Sequence, residues 1–294
     1  MNTHYKHGQA CKICGIVLIV CGAIVTGAVY GAVGGPEESP IAFVGPLIMI
    51  IGLLLHFRGR RRAAEALATG PNSPLSDDKP DVLYLRSFLT DPSSVVKQLQ
   101  TGLSTEEEQL AVVLKPFGDL IAIGQPGEPL PLPGATRIYA SNAEWQRVVL
   151  DRMRSSVLVV IRAGAGPGLL WEFAQAFRQV PPERLLILVL RTPATDYAEL
   201  VYMAKTDFGI TLPHISASSL LNAVIDYRDG PSKLQSGFIR FSSGWSAEFL
   251  PLQRTFVRLG YNDLLVSFNL ALRPVFEAHR VRWRRLTRFA TDTT

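Results

Sequence analysis

Val157-Leu158-Val159-Val160-Ile161 is a five-residue run that is apolar at every position. Arg162-Ala163-Gly164-Ala165-Gly166-Pro167-Gly168 follows as a loop of small residues, and Leu169-Leu170-Trp171-Glu172-Phe173 then opens a helical pattern. A strand exposed on one face alternates apolar and polar side chains. One that is apolar throughout has both faces covered, which is the condition of a strand inside a parallel sheet flanked by helices. The same alternation continues on either side. Residues 82–88, 120–123 and 184–190 are further β-rich runs, and 137–140 is a short extended piece. Between them lie helical patterns at 104–117, opened by Ser104 and Glu107 in capping-box spacing, and at 143–154, capped by Asn142. The second carries Trp145, Val148, Val149 and Met153 on one stripe. Residues 168–180 are a third helix. Strands alternating with helices predict an α/β domain built on a doubly wound parallel sheet over residues 81–214.

Working outward toward the N-terminus, residues 69–80 are rich in Pro, Ser and Asp, and residues 63–80 read as a linker. Before it the composition changes. Of the 294 residues, 47% are hydrophobic, and the excess lies mainly before Phe57. Residues 13–33 carry no charge and are long enough to span a bilayer as a helix; residues 41–57 are at the short end of that range. Gly34-Gly35-Pro36 and Pro40 punctuate the link between them, which holds Glu37 and Glu38 but no Lys or Arg. Lys6 and Lys12 precede the first segment, and Arg58, Arg60, Arg61 and Arg62 follow the second. This asymmetry predicts a two-span transmembrane helical hairpin over residues 1–62 in the cell inner membrane, with both termini cytoplasmic. Gly15, Gly22, Gly27 and Gly31 offer small faces for close packing of the first helix on its partner. The competing reading, a cleaved signal peptide followed by one span, lacks a convincing small-residue cleavage site.

All three cysteines, Cys11, Cys14 and Cys21, lie in or beside the first apolar segment, so the α/β domain has neither a disulfide nor a thiol nucleophile. His4, His7, Cys11 and Cys14 have the pair spacing of zinc ligands. Too little chain separates the pairs to shape a tetrahedral site, and no metal is expected.

Beyond Pro213, residues 215–294 read as a mixed C-terminal extension. Residues 216–227 look helical, 237–249 form a hairpin, and 262–283 form one long amphipathic helix ending in Arg280, Arg282, Arg284, Arg285 and Arg288. The formal net charge is +5, but neither arginine cluster sits in a recognisable nucleic-acid module, and the bilayer is the nearer anionic partner. The extension packs on the sheet or lays its basic end on anionic lipid, with a solvated basic tail as the alternative.

In a doubly wound sheet, ligands bind beyond the carboxyl ends of the strands, where strand order reverses. Three loops are expected there: residues 86–91, with Arg86, Ser87, Phe88 and Asp91; residues 124–128, with Gly124 and Gln125; and residues 162–168, with Gly164, Gly166 and Gly168. Small residues let backbone N–H groups approach an anion at a helix N-terminus, and Trp171 and Glu172 follow in the first turn. The loop has neither P-loop nor G-x-G-x-x-G spacing, and a tight glycine turn is its structural alternative.

Asp81-Val82-Leu83-Tyr84-Leu85-Arg86-Ser87-Phe88 with Asp91 resembles the opening strand and loop of Toll/interleukin-receptor (TIR) domains. Residues 144–176, a helix, an apolar strand, a loop and a helix bearing Trp and Glu, resemble the prokaryotic TIR pattern; together the likeness covers roughly residues 81–210. The resemblance implies a flavodoxin-like sheet, self-association into a homo-oligomer and, in catalytic members, cleavage of NAD at the nicotinamide–ribose bond. NAD would then be substrate or ligand rather than a cofactor, and Glu172 would be the catalytic residue. Two features depart from the family pattern: Trp171 adjoins Glu172 instead of preceding it by several residues, and the loop after the second strand is rich in Pro. Residues 166–172 also resemble the G-x-G-T-x-x-E turn of lysine-decarboxylase-like (LOG-type) nucleotide-binding domains, which implies a nucleotide sensor at the same place. The expected function is therefore a membrane-tethered signalling or defence effector that binds NAD or a related nucleotide. A non-catalytic TIR-like module that recruits cytosolic partners is the alternative.

Overall fold

The computed structural model describes residues 3–33, 43–66, 68–69, 80–87, 106–124, 134–141, 143–217, 234–253 and 264–286. The chain divides into two compact units, one made essentially of the first 68 residues and one holding the sheet.

The first unit contains α1 (Thr3–Val33) and α2 (Val44–Ala66). Within α1, Ile13–Gly31 is 19 residues long and apolar enough to cross a membrane; Val44–Gly59 of α2 is apolar but shorter. The two helices lie against each other through glycine. A Cβ built on Gly15 would fall 2.5 Å from the backbone N of His56, and one on Gly52 would fall 2.7 Å from the carbonyl O of Gly15. Backbones this close leave no room for a side chain. Gly22 is used in the same way, against Met49. Gly27 and Gly31, expected to do likewise, have nothing within 4 Å, and the contact beside them is made by Thr26 against Gly45. Ile13, Val17, Val20 and Ile24 are each more than half exposed on the outer surface.

The second unit is a three-layer α/β/α arrangement. Its strands are β1 (Asp81–Leu85), β2 (Asp119–Gly124), β3 (Thr136–Tyr139), β4 (Leu158–Arg162), β5 (Leu185–Val189), β6 (Gly237–Ser242) and β7 (Ser246–Pro251). In space they run β3-β2-β1-β4-β5-β6-β7. The first five are mutually parallel, and β6 and β7 close the sheet as an antiparallel hairpin, with Leu186 opposite Arg240 and Ile187 opposite Ile239.

Alternate residues of each strand enter different layers. Leu83, Leu85, Val159, Ile161 and Ile187 pack against α4 (Trp145–Ser155), α5 (Pro167–Gln179) and α6 (Ala194–Phe208). Val82, Tyr84, Val160, Leu186 and Phe238 pack against α3 (Glu106–Leu114), α7 (Leu264–Ala271) and α8 (Arg273–Ala278). Both faces are covered, which is why β4 and β5 are apolar at nearly every position. The helix at 194–208 was not foreseen. Its signals are present: Tyr197, Leu200 and Ala204 are buried at helical spacing, and Gly209 takes the left-handed conformation (φ 68°) that closes a helix.

The hairpin expected at 237–249 is present. The single helix expected over 262–283 is not: α7 and α8 are separate, and Pro274 opens the second of them. A proline has no N–H to donate to the preceding turn and its ring collides with it, so the helix restarts there. After α8, Arg280 adopts a left-handed conformation (φ 55°) and residues 281–286 run without helix. They are tied down by one side chain. Asn269 Nδ2 donates to the carbonyl of Arg284 at 3.1 Å, its Oδ1 accepts from the backbone N of Leu286 at 2.9 Å, and Trp283 Nε1 donates to the Asn269 carbonyl at 3.0 Å. Asn269→Ala therefore removes two of these bonds at a residue only 2% exposed. The expected cost is about 1–3 kcal/mol, with faster tryptic cleavage at Arg280–Arg285 as the readout. The helix expected at 216–227 lies largely outside the described residues.

Candidate functional site at the carboxyl ends of the strands

The order of strands reverses between β1 and β4: from β1 the chain steps outward to β2 and β3, then returns to the other side of β1 with β4 and β5. Adjacent carboxyl ends whose connections leave in opposite directions open a crevice, so this is where a ligand is accommodated in such sheets. Its floor is made by residues 86–87 after β1 and 162–166 after β4. Gly164 lies against Ser87, where a Cβ would approach the Ser87 Cβ to 3.9 Å and the Leu169 side chain to 3.6 Å. Gly166 (φ 118°) holds a backbone conformation that residues with a Cβ rarely adopt, and turns the chain directly into α5. Around Gly168 the space is open.

The expected residues fall into two groups on opposite faces of the sheet, by the two-residue period of the strands. On the α5 side lie Ser87, Gly164, Trp171 and Glu172. Trp171 meets Trp145 of α4 edge-to-face with ring centroids 4.8 Å apart; α5 begins at Pro167, so Trp171 and Glu172, expected in its first turn, lie in its second. Glu172 is 5% exposed and makes no hydrogen bond or ion pair among the described residues. Burial alone pushes its carboxyl up from the ordinary 4.5 to about 8. It is therefore mainly protonated at neutral pH, an acid kept neutral in an apolar setting.

This has a consequence for stability. The folded chain holds the Glu172 proton up to about pH 8, whereas the unfolded chain releases it near the ordinary value. Between those limits the native state binds more protons, so stability falls as pH rises, by at most about 1.4 kcal/mol per pH unit. Thermal melts from pH 5 to pH 8 should show that slope in the wild type and a flatter profile in Glu172→Gln.

On the α3 side, Arg86 and Arg162 meet residues that sequence reasoning overlooked. Glu106 Oε2 accepts from Arg162 Nη1 at 3.0 Å, and Glu106 Oε1 accepts from Arg191 Nη1 at 2.5 Å. Glu107 Oε2 accepts from Arg137 Nη2 at 2.7 Å and lies 3.9 Å from Arg86 Nε. Arg137 is wholly buried and Glu107 nearly so. Arg162 also donates to the Leu190 carbonyl at 3.2 Å. Burial disfavours its charge, but Glu106 and Tyr84 more than offset this and hold its pKa above the ordinary value. Arg86, Arg162 and Arg191 from the ends of β1, β4 and β5, and Arg137 from within β3, are thus gathered by the first turn of one helix, whose positive end favours the carboxylates. The signal in the sequence was the run Glu106-Glu107-Glu108 at a helix start, with Arg86 and Arg162 at strand positions that face the same layer. Glu107 engages Arg137; Ser104, expected to form a capping box with it, lies outside the described residues.

No family model, curated protein or solved structure matches this chain. Its own geometry is what bears on function.

Gly124 ends β2 beneath Tyr139, where a Cβ would fall 2.5 Å from the ring, so its smallness serves packing. Phe88, Asp91 and Gln125 lie outside the described residues. Among the described residues there is no group of three His, Cys, Asp or Glu able to hold a metal ion. A cavity of about 310 Å³ lies elsewhere, between the β6–β7 hairpin and α8, lined by Glu183, Arg240, Ser243, Glu248 and His279.

Proposed function

We propose that this chain is a membrane-tethered, TIR-like domain protein that binds NAD or a related nucleotide at the β1–β4 crevice and cleaves its nicotinamide–ribose bond, with Glu172 as the catalytic residue. The observation that carries this reading is Glu172 itself: a buried, uncharged carboxyl without a partner among the described residues, in the second turn of the helix that follows the crossover strand and next to an aromatic pair. Such a group is costly to ionise until a cation arrives. The nicotinamide ring of NAD is cationic, and positive charge shifts to the ribose as the bond breaks. A cation at Glu172 stabilises the carboxylate, which in turn stabilises oxocarbenium character at the ribose, as carboxylates do in glycoside hydrolysis. The bonding electrons leave with nicotinamide, water adds to the anomeric carbon and one proton is released.

Two further features support a nucleotide at this place. The parallel strands run 3-2-1-4-5, the order of dinucleotide-binding halves, although this is an argument by analogy of fold. With the short strand β3 set aside, the remaining four parallel strands follow the flavodoxin-like order of the TIR reading. Self-association belongs to the proposal, as does a two-span anchor with both termini cytoplasmic. The apolar length of α1 and the arginines after α2 support that anchor.

One observation favours the non-catalytic module instead: Arg86 and Arg162, which could pair with phosphates or with ordinary carboxylates, face Glu107 and Glu106 within the protein. NAD consumption by the full chain at high protein concentration separates the readings. Nicotinamide release establishes an enzyme; a thermal shift with NAD but no turnover establishes a sensor, which would equally suit the LOG-type likeness. Neither turnover nor shift leaves the interaction module.

A further inference from the structure

Residues 280–286 form a short segment that leaves α8, held at its start by backbone bonds from Arg280 and Val281 to Glu277 and Phe276 and over residues 283–286 by Asn269. Its side chains divide into two sets. Val281, Trp283 and Leu286 pack onto the core layer beneath the sheet, while Arg280, Arg282, Arg284 and Arg285 are exposed. Arg273 covers Trp283 from outside, with its guanidinium 5.2 Å from the ring centroid, and pairs with Glu277 at 2.8 Å. The guanidinium groups of the four outward arginines make no hydrogen bond or ion pair with any described residue. Four like charges in six residues repel one another, and a tethered backbone prevents them from spreading. Such an arrangement is stabilised by an extended anionic surface that meets all four at once, rather than by a single small anion.

We propose that Arg280, Arg282, Arg284 and Arg285 form a basic ladder that rests on the anionic face of a lipid bilayer and orients the sheet unit against it. The choice of a bilayer over a nucleic acid rests on the proposed anchoring of the chain through α1, which keeps lipid headgroups at high local concentration. The Asn269 clamp makes the ladder rigid, so its order is established before contact and is not lost on binding.

The test uses the full chain in nanodiscs of phosphatidylcholine alone or with about one third phosphatidylglycerol. Arginine modification by phenylglyoxal is followed residue by residue by mass spectrometry, with exposed Arg147 as the control. The expected result is that Arg280–Arg285 react about tenfold more slowly in the anionic discs. Arg147 should be unchanged, and the difference should vanish at about 1 M salt, where screening acts within ~3 Å. A second variant, with all four arginines changed to Lys, should keep a salt-sensitive protection of the amides of the same segment by hydrogen exchange; with all four changed to Gln it should lose it. Equal reaction rates in the two disc types overturn the proposal. So does protection by an added RNA oligonucleotide in neutral discs without protection by phosphatidylglycerol, which would assign the ladder to nucleic acid. If the chain stays soluble without lipid, the anchor is refuted, and the same labelling with added phosphatidylglycerol vesicles tests the ladder by itself.

Discussion

Glu172→Gln and Glu172→Ala are each expected to lower NAD cleavage by the full chain by about 10²–10⁴-fold, the range over which a positioned acid or base contributes. The two variants differ in what else they change. Gln keeps the volume and a polar head but cannot take up negative charge, so it removes the one property that the cationic substrate requires. Ala also deletes packing beside Phe173 and Leu169, and it is expected to lower stability as well. Gln should leave the melting temperature equal or higher at pH 8, because the wild-type carboxyl is there being forced to ionise in an apolar place. Nicotinamide release is the readout. Turnover at wild-type rate in Glu172→Gln, with a normal melt, would remove Glu172 from the chemistry and with it the proposed mechanism.

The second large effect concerns stability. Glu107→Ala leaves the guanidinium of Arg137, which is 0% exposed, without its 2.7 Å carboxylate. Removing one partner of a buried pair is expected to cost about 3–5 kcal/mol, because the remaining charge must stay desolvated. Urea unfolding followed by tryptophan fluorescence would measure it. Glu248→Ala breaks the exposed pair with Arg240 and serves as the contrast, at about 1 kcal/mol or less. Replacing both members, Glu107→Leu with Arg137→Met, should recover most of the loss, since an apolar pair of similar volume needs no compensation. A single-variant cost below that of Glu248→Ala would mean that the arginines are held by something other than Glu107.

Much of the sheet unit was legible because burial writes itself into composition. β4 and β5 are apolar on both faces, and that is enough to place them inside a covered parallel sheet. Strand and helix bounds there fall within three residues of the expected ones, the widest at the ends of β1 and α3. The arginine–glutamate network was not legible. Its members are separated by up to 85 residues in the chain, as Arg191 is from Glu106. A charged residue at a strand end has the same local signature whether it meets solvent, a phosphate or a carboxylate. Proline explains the other miss: the apolar period of 262–283 continues smoothly through Pro274, and only the missing N–H and the ring interrupt the helix.

The amino-acid order by itself determined the local facts: an apolar helix long enough to cross a bilayer, the alternation of strands and helices, and a glycine-rich turn that delivers Glu172 to a helix start. These depend on side-chain chemistry over a few residues, where period and composition suffice. The tertiary structure alone decided which face of the sheet each candidate occupies, and that Arg86 and Arg162 meet Glu107 and Glu106. It also decided that Glu172 is desolvated with no cation beside it. Solvation and pairing depend on what other segments bring within a few ångströms, and no local window of sequence contains that information.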